Sequence, residues 1–232
     1  MSKLTNRGNL KNKSDTNEVL IDKRAYRIFK YWQKQGFPYY RSDKQFRQEQ
    51  FEKFMKIDHM KNLDFNNKGF KFHNGGLSLA WSYHPHAFEV PCKNQICPYD
   101  VFNSEEIFTL GIRKSLKGIF FKKQSFEVLM NDSDKIKQDI RQILRRVTGG
   151  QMVSNFRPVT ASALYSLFCE EGDTVWDMSC GWGGRLLASI KSNINYIGTD
   201  PNTKTMKGLK EMAMTFGRKN RTYDLQIMGS EV

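Results

Sequence analysis

Cysteine is scarce in this 232-residue chain: Cys92, Cys97, Cys169 and Cys180 are all there is, at spacings that make no dense framework. That excludes a disulfide-stapled scaffold. Six prolines occur and no two are adjacent. No apolar run approaches the roughly 18–20 residues that cross a bilayer, and the polar start MSKLTNRGNLKNKSD lacks the apolar stretch of a signal peptide. A membrane span and secretion are therefore not expected, and reduced thiols in a cytoplasmic protein are. Acids are also in short supply, 24 Asp+Glu against 37 Lys+Arg, for a net charge of +13. What is present, 39% hydrophobic and 13% aromatic residues, is enough to pack one large core or two small ones.

The positive excess is unevenly placed. Residues 1–150 hold 28 basic and 16 acidic residues, whereas residues 151–232 hold 9 and 8. A basic first part joined to a neutral second part suggests a polyanion, DNA above all, as partner of the former and separate chemistry in the latter. A Lys-rich surface serving only solubility is the plainer alternative.

Along the chain, residues 1–18 are Lys/Asn/Ser-rich without periodicity and read as a disordered basic arm. Ile21, Ala25, Ile28, Phe29 and Trp32 recur at helical spacing before Gly36, and a second helix carries Phe46, Phe51, Phe54 and Met55. Alternation through Phe70 and Phe72, a turn at Asn74-Gly75-Gly76, and alternation through Leu77, Leu79, Trp81 and Tyr83 predict a β-hairpin over 69–83. Helices are expected near Ser104–Lys117 and Ser133–Val147, and Gly149-Gly150 marks a boundary. The expected organisation is an arm (1–18), a basic α+β domain facing DNA (19–148) and an α/β domain (149–232). In the last, a helix near Thr160–Phe168 precedes a strand at 174–177, a Gly-rich turn and a helix with Leu186, Leu187 and Ile190. A strand at 196–200, a helix from Asn202 to Phe216 and a strand near 225–228 complete β-α-β-α-β, the opening of an open parallel sheet.

The turn Asp177-Met178-Ser179-Cys180-Gly181-Trp182-Gly183-Gly184-Arg185 lies where such a sheet binds its ligand. Gly181 and Gly183 allow a close backbone approach, but no glycine stands two residues after Gly184, so the dinucleotide spacing G-x-G-x-x-G is not met. Asp200 ends the second strand, placed to accept hydrogen bonds from ribose hydroxyls.

Asp-x-x-x-Gly-x-Gly followed by an acid ending the next strand resembles motif I and its partner acid in class I S-adenosylmethionine-dependent methyltransferases. Asn155-Phe156-Arg157-Pro158-Val159-Thr160 resembles the F-x-P motif that precedes motif I in DNA amino-methyltransferases. The string D-M-S-C-G-W-G-G-R-L-L with Y-I-G-T-D-P-N-T is similar to phage and bacterial enzymes of that group, and the resemblance covers about residues 151–232. It implies the first half of a Rossmann-like sheet that binds S-adenosylmethionine. Asp177 would lie near the methionine ammonium, with Gly181 and Gly183 beneath the cofactor. Asp200 would hold the ribose, with Pro201 and Asn202 beside the adenine. Phe156 and Thr160 would flank the methionine, and Ser230 and Glu231 would contact the adenine amino group. Trp182 and Arg185 read equally as site residues and as residues of packing and helix capping.

The resemblance also implies a [Asp/Asn/Ser]-Pro-Pro-[Tyr/Phe/Trp] loop that holds the target amino group and stacks the flipped base. No Pro-Pro occurs here, and the sequence stops at Val232, right after the third strand. Phe37-Pro38-Tyr39-Tyr40 and Cys97-Pro98-Tyr99-Asp100 resemble the loop only loosely. The expectation is a truncated adenine-N6 methyltransferase, completed by a missing C-terminal segment, a second chain or a homodimer. The alternative is a methyltransferase-derived protein without catalysis that binds nucleic acid or a protein partner, such as a phage anti-defence factor. Three further readings are minor. Val90-Pro91-Cys92 resembles the nucleophile of cytosine-C5 methyltransferases but precedes motif I. His84, His86, Cys92 and Cys97 are zinc-type ligands at no standard spacing. Arg24, Tyr26, Arg27, Lys30, Tyr31, Trp32, Tyr39, Tyr40, Arg41, Lys44 and Arg47 interleave cations with rings, as surfaces that grip phosphates and stack bases do.

Overall fold

The computed structural model describes residues 8–229 except 65, 93–94, 120–123 and 148–149. In chain order the elements are α1 (Gly8–Gln35), α2 (Lys44–Met55), β1 (Leu63–Asp64), β2 (Gly69–Phe70), α3 (Leu77–Ser82), α4 (Pro98–Asn103), α5 (Glu105–Lys117), α6 (Phe126–Leu129) and α7 (Asp134–Gln142). Then come α8 (Pro158–Phe168), β3 (Thr174–Asp177), α9 (Gly184–Ser192), β4 (Asn195–Thr199), α10 (Thr203–Phe216) and β5 (Tyr223–Gln226). The class is mixed α/β, rich in helix, with small sheets. No helix among the described residues is long and apolar enough to cross a membrane.

Two compact units divide the chain, and each draws on two segments. One takes the residues up to Tyr39 and Phe88–Val153; the other takes Tyr40–Ala87 and Ser154–Val232. The units part at Val153–Ser154, and residues 40–87 belong with the C-terminal segment, whereas the expected organisation has a single boundary at 149. The expected arm also differs: helix α1 already runs from Gly8, and residues 1–7 lie outside the described ones. Extending an existing helix costs far less than nucleating one, so a polar stretch without an apolar face can continue the helix whose buried stripe starts further on.

The first unit is helical. Ala25, Ile28, Phe29 and Trp32 of α1 pack with Phe108, Ile112 and Leu116 of α5 and with Ile136, Ile140, Ile143 and Leu144. Trp32 Nε1 donates to the Leu129 carbonyl at 2.9 Å, so its one polar atom is satisfied inside the core. Ser104 caps α5 by accepting from Ile107 N at 3.3 Å, with Glu105 and Glu106 in the first turn and Lys114 and Lys117 in the last.

The second unit holds a parallel sheet of order β3-β4-β5, with Asp177 opposite Gly198 and Thr199 opposite Gln226. Leu186, Leu187 and Ile190 of α9 and Met206, Leu209 and Met212 of α10 pack with Tyr196 and Leu225. The expected hairpin over 69–83 does not form. Only Gly69–Phe70 is strand, paired antiparallel with Leu63–Asp64, and Leu77–Ser82 is helix. Leu79, Ala80, Trp81 and Ser82 are all buried, so a short helix covered all round imitated the alternation of a strand. Gly76, at φ +80°, stands before that helix where a hairpin turn was read.

Candidate functional site

Strand β3 ends at Asp177, the chain turns through residues 179–183, and α9 starts at Gly184. Against this turn lies the segment leading into α8, and between them is a cavity of about 490 Å³ lined by residues 154–157, Thr160, residues 179–182 and Arg185. That volume falls in the range of small-molecule sites. The N-termini of α8 and α9 both open at it, one preceded by Arg157, and these positive helix ends favour an anionic group.

The glycines of the turn have different tasks. Gly181 lines the cavity at φ +53°, and a Cβ there would meet only the Ser179 carbonyl oxygen, at 3.7 Å. Gly183, at φ +81°, packs instead on α10, where a Cβ would come within 2.9 Å of Met212 Cε and 3.1 Å of Leu209 Cδ2; it does not line the cavity. Gly184 has a task the sequence did not announce. A Cβ at this position would overlap the Phe156 carbonyl oxygen and lie 2.7 Å from Asn155 Oδ1, so a bare Cα lets the 155–156 backbone lie against α9. Asn155 Nδ2 then donates to the Trp182 carbonyl at 3.0 Å and ties the two walls together.

Asp177 is 9% exposed and does not stand open toward a ligand. Arg185 reaches it twice, Nε to Oδ2 at 2.6 Å and Nη2 to Oδ1 at 3.0 Å, and the Tyr196 hydroxyl donates to Oδ2. Its carboxylate therefore secures Arg185, whose guanidinium also donates to the Ser179 carbonyl and lies 5.5 Å from the Phe156 ring centroid. The Cys180 thiol, buried beside Asp177 and Asp200, is pushed up to about 12, which makes it a poor nucleophile near neutral pH.

Asp200, past the end of β4, accepts from Gly181 N at 3.2 Å and from Asn202 N at 2.9 Å. It thus joins the Gly-rich turn to the start of α10. Asn202 caps α10, its Oδ1 accepting from Thr205 N at 3.0 Å, and Pro201 is exposed. Of the ten residues expected to contact the cofactor, Phe156, Thr160 and Gly181 come together on the cavity wall. Asp177, Gly183, Asp200, Pro201 and Asn202 do not line it, although Asp177 and Asp200 each hold a residue that does. Ser230 and Glu231 lie outside the described residues. Arg185 and Trp182, for which a site role and a packing or capping role were equally expected, are wall residues. Trp182 also has ring neighbours in Trp81, His84 and His86, at centroid distances of 5.9, 5.8 and 5.3 Å.

The minor readings fare differently. Among the described residues no group of three or more His, Cys, Asp or Glu gathers in a way that could hold a metal ion. Cys97-Pro98-Tyr99-Asp100 is a helix start, with Cys97 Sγ accepting from Asp100 N at 3.4 Å and Pro98 in the first turn. In Phe37-Pro38-Tyr39-Tyr40, Phe37 lies among the rings of Tyr39, Phe88, Tyr99 and Phe102, and the Pro38 carbonyl accepts from Arg141 at 2.7 Å. No protein family, curated protein or solved structure compared with the chain matches it.

Proposed function

We propose that this chain is the S-adenosylmethionine-binding part of a DNA methyltransferase of the adenine-N6 type, on a Rossmann-like sheet. The observation that carries the reading is the cavity at the carboxyl end of a parallel strand, between the F-x-P segment and the Gly-rich turn. Its chemistry suits the cofactor. Two helix N-termini with Arg157 and Arg185 match the methionine carboxylate, while the Phe156 and Trp182 rings offer faces to the sulfonium or the adenine. Each Asp200 oxygen accepts one backbone bond and keeps a lone pair for a ribose hydroxyl. Asp177 acts at one remove, by orienting Arg185.

The cofactor, when bound, supplies an electrophilic methyl group. The chain's own residues bind and orient it; none of the 232 residues forms the Pro-Pro loop that would hold the target base. Transfer is thus expected only with a polypeptide segment bearing that loop. β3 is a sheet edge with Trp176 63% exposed on it, where a completing segment would pair.

Calorimetric titration with S-adenosylmethionine tests the reading. Micromolar binding, weakened at least tenfold by Asp200→Ala and by Arg185→Gln, is expected. A folded, monodisperse wild-type chain that binds no cofactor refutes it, and would leave a methyltransferase-derived binding protein as the better account.

A further inference from the structure

A second feature lies on α1. Lys23, Arg27, Lys30 and Lys34 fall at positions i, i+4, i+7 and i+11 of one helix, and all four are exposed. At 3.6 residues per turn and 1.5 Å per residue they form one row, about 60° wide and about 16 Å long. The helix cannot roll this row inward, because Ala25, Ile28, Phe29 and Trp32 are locked in the core of their unit. Nor do Glu18 and Asp22 of α1 neutralise it. Asp22 pairs with Arg113 of α5 at 2.9 Å and Glu18 with Lys117 at 2.6 Å, and among the described residues no ion pair engages the four cations of the row. Arg27 is braced, its guanidinium 5.0 Å from the Phe126 ring centroid, and the exposed Tyr26 ring lies 5.3 Å from Lys30 Nζ.

Arg41 and Arg47 of the interleaved stretch are engaged within their own unit. Arg47 donates to the Ser82 carbonyl at 2.8 Å, lies 3.7 Å from the Tyr83 ring centroid and pairs with Glu211; Arg41 pairs with Asp43 at 2.9 Å. Trp32 is core.

We propose that this ridge on α1 is a binding surface for the phosphate backbone of DNA. A regular row of cations meets its best electrostatic match in regularly spaced anions. One strand of a duplex carries a phosphate every 3.4 Å along the axis, so a 16 Å row spans about five nucleotides. A lipid surface fits less well, because the apolar face that would enter a bilayer is already used in the core. Arg27, pre-oriented on a ring, offers a planar fork to phosphate oxygens. The choice of DNA as the polyanion rests on the proposed function; the ridge itself does not.

The experiment is fluorescence anisotropy with a labelled random-sequence duplex over a salt series. It compares the wild type with Lys23→Gln/Arg27→Gln/Lys30→Gln/Lys34→Gln. A control carries the same charge change at exposed α10-side positions, Lys204→Gln/Lys207→Gln/Lys210→Gln/Lys219→Gln. The ridge variant is expected to bind about 30-fold or more weakly at low salt, and its log K–log salt slope to shrink by up to about 3.6, the value for four phosphate contacts. Unchanged binding by a ridge variant with wild-type circular dichroism overturns the inference, as does an equal loss in the control. Wild-type binding to phosphatidylserine vesicles without binding to DNA overturns it too. Cofactor titration of the same variants separates the two proposals. Ridge-dependent DNA binding without cofactor binding refutes the methyltransferase reading alone, and cofactor binding without ridge dependence refutes this one alone.

Discussion

Gly184→Ala is the most direct test of how the cavity wall is built. In an ordinary helix this change stabilises by up to about 1 kcal/mol. Here the new Cβ would overlap the Phe156 carbonyl oxygen, with Asn155 Oδ1 at 2.7 Å and the Phe156 carbonyl carbon at 3.1 Å, against an ordinary separation of about 3.5 Å. Two of these atoms are backbone, so no rotamer relieves the overlap and the whole 155–156 segment must retreat from α9. Overpacking of this kind costs about 1–3 kcal/mol, which leaves a net loss of up to about 2 kcal/mol once a full helix gain is subtracted. The moved segment forms a wall of the cavity and carries the Asn155–Trp182 bond, so S-adenosylmethionine affinity should fall more than stability does. Gly181→Ala is the comparison, since it has open space and incurs only the left-handed backbone penalty of about 1–2 kcal/mol. Urea unfolding followed by tryptophan fluorescence gives the stability, and calorimetry the affinity. A Gly184→Ala protein as stable as wild type with an unchanged cofactor affinity refutes the close approach of residues 155–156 to α9.

Arg185→Met leaves the Asp177 carboxylate with the Tyr196 hydroxyl and the Ser179 N–H but without its Arg185 partner, and should cost about 3 kcal/mol. In a double-mutant cycle with Asp177→Asn the two changes should couple by more than 1 kcal/mol, and additive costs would mean that the pair contributes little. His84 is fully buried, neither ring nitrogen has a hydrogen-bond partner among the described residues, and burial, then His86 and Arg47, lower its pKa to about 3. As pH falls below the unfolded value near 6.5, the unfolded chain takes up a proton that the folded one refuses. Stability should therefore drop toward pH 3 by up to about 1.4 kcal/mol per unit from this group. His84→Leu should flatten that slope in urea titrations between pH 6.5 and 4, and an equal slope in both proteins counts against it. Cys180 should resist iodoacetamide in the folded chain and react on unfolding; labelling of the native protein at pH 7.5, located by peptide mapping, would show the thiol to be accessible.

Periodic features were readable because local chemistry decides them. The apolar stripe of α1, the Ser104 cap with its two glutamates, and the run from β3 through β5 each state their element within a few residues. The hairpin over 69–83 misled because alternation cannot distinguish a half-buried strand from a short helix buried on all sides. That difference depends on what packs around Leu79, Ala80 and Trp81. In the candidate site, the positions of Phe156, Thr160 and Gly181 were legible as motif, whereas the partners of Asp177 were not. Arg185 stands eight residues on and Tyr196 nineteen, and only the turn into α9 and the pairing of β3 with β4 bring them to one carboxylate.

The sequence by itself determined the charge asymmetry, the helix caps, the parallel three-strand pattern and the Gly-rich turn between Asp177 and Arg185, because each depends on neighbours a few residues away. Tertiary structure alone decided that residues 40–87 join the C-terminal segment, that Gly183 packs on α10 while Gly184 admits the 155–156 backbone, and that four of the many cations of α1 form one unneutralised row. Those outcomes depend on which faces meet across long stretches of chain, and close packing admits only the side chains, or the bare Cα, that fit the space left there.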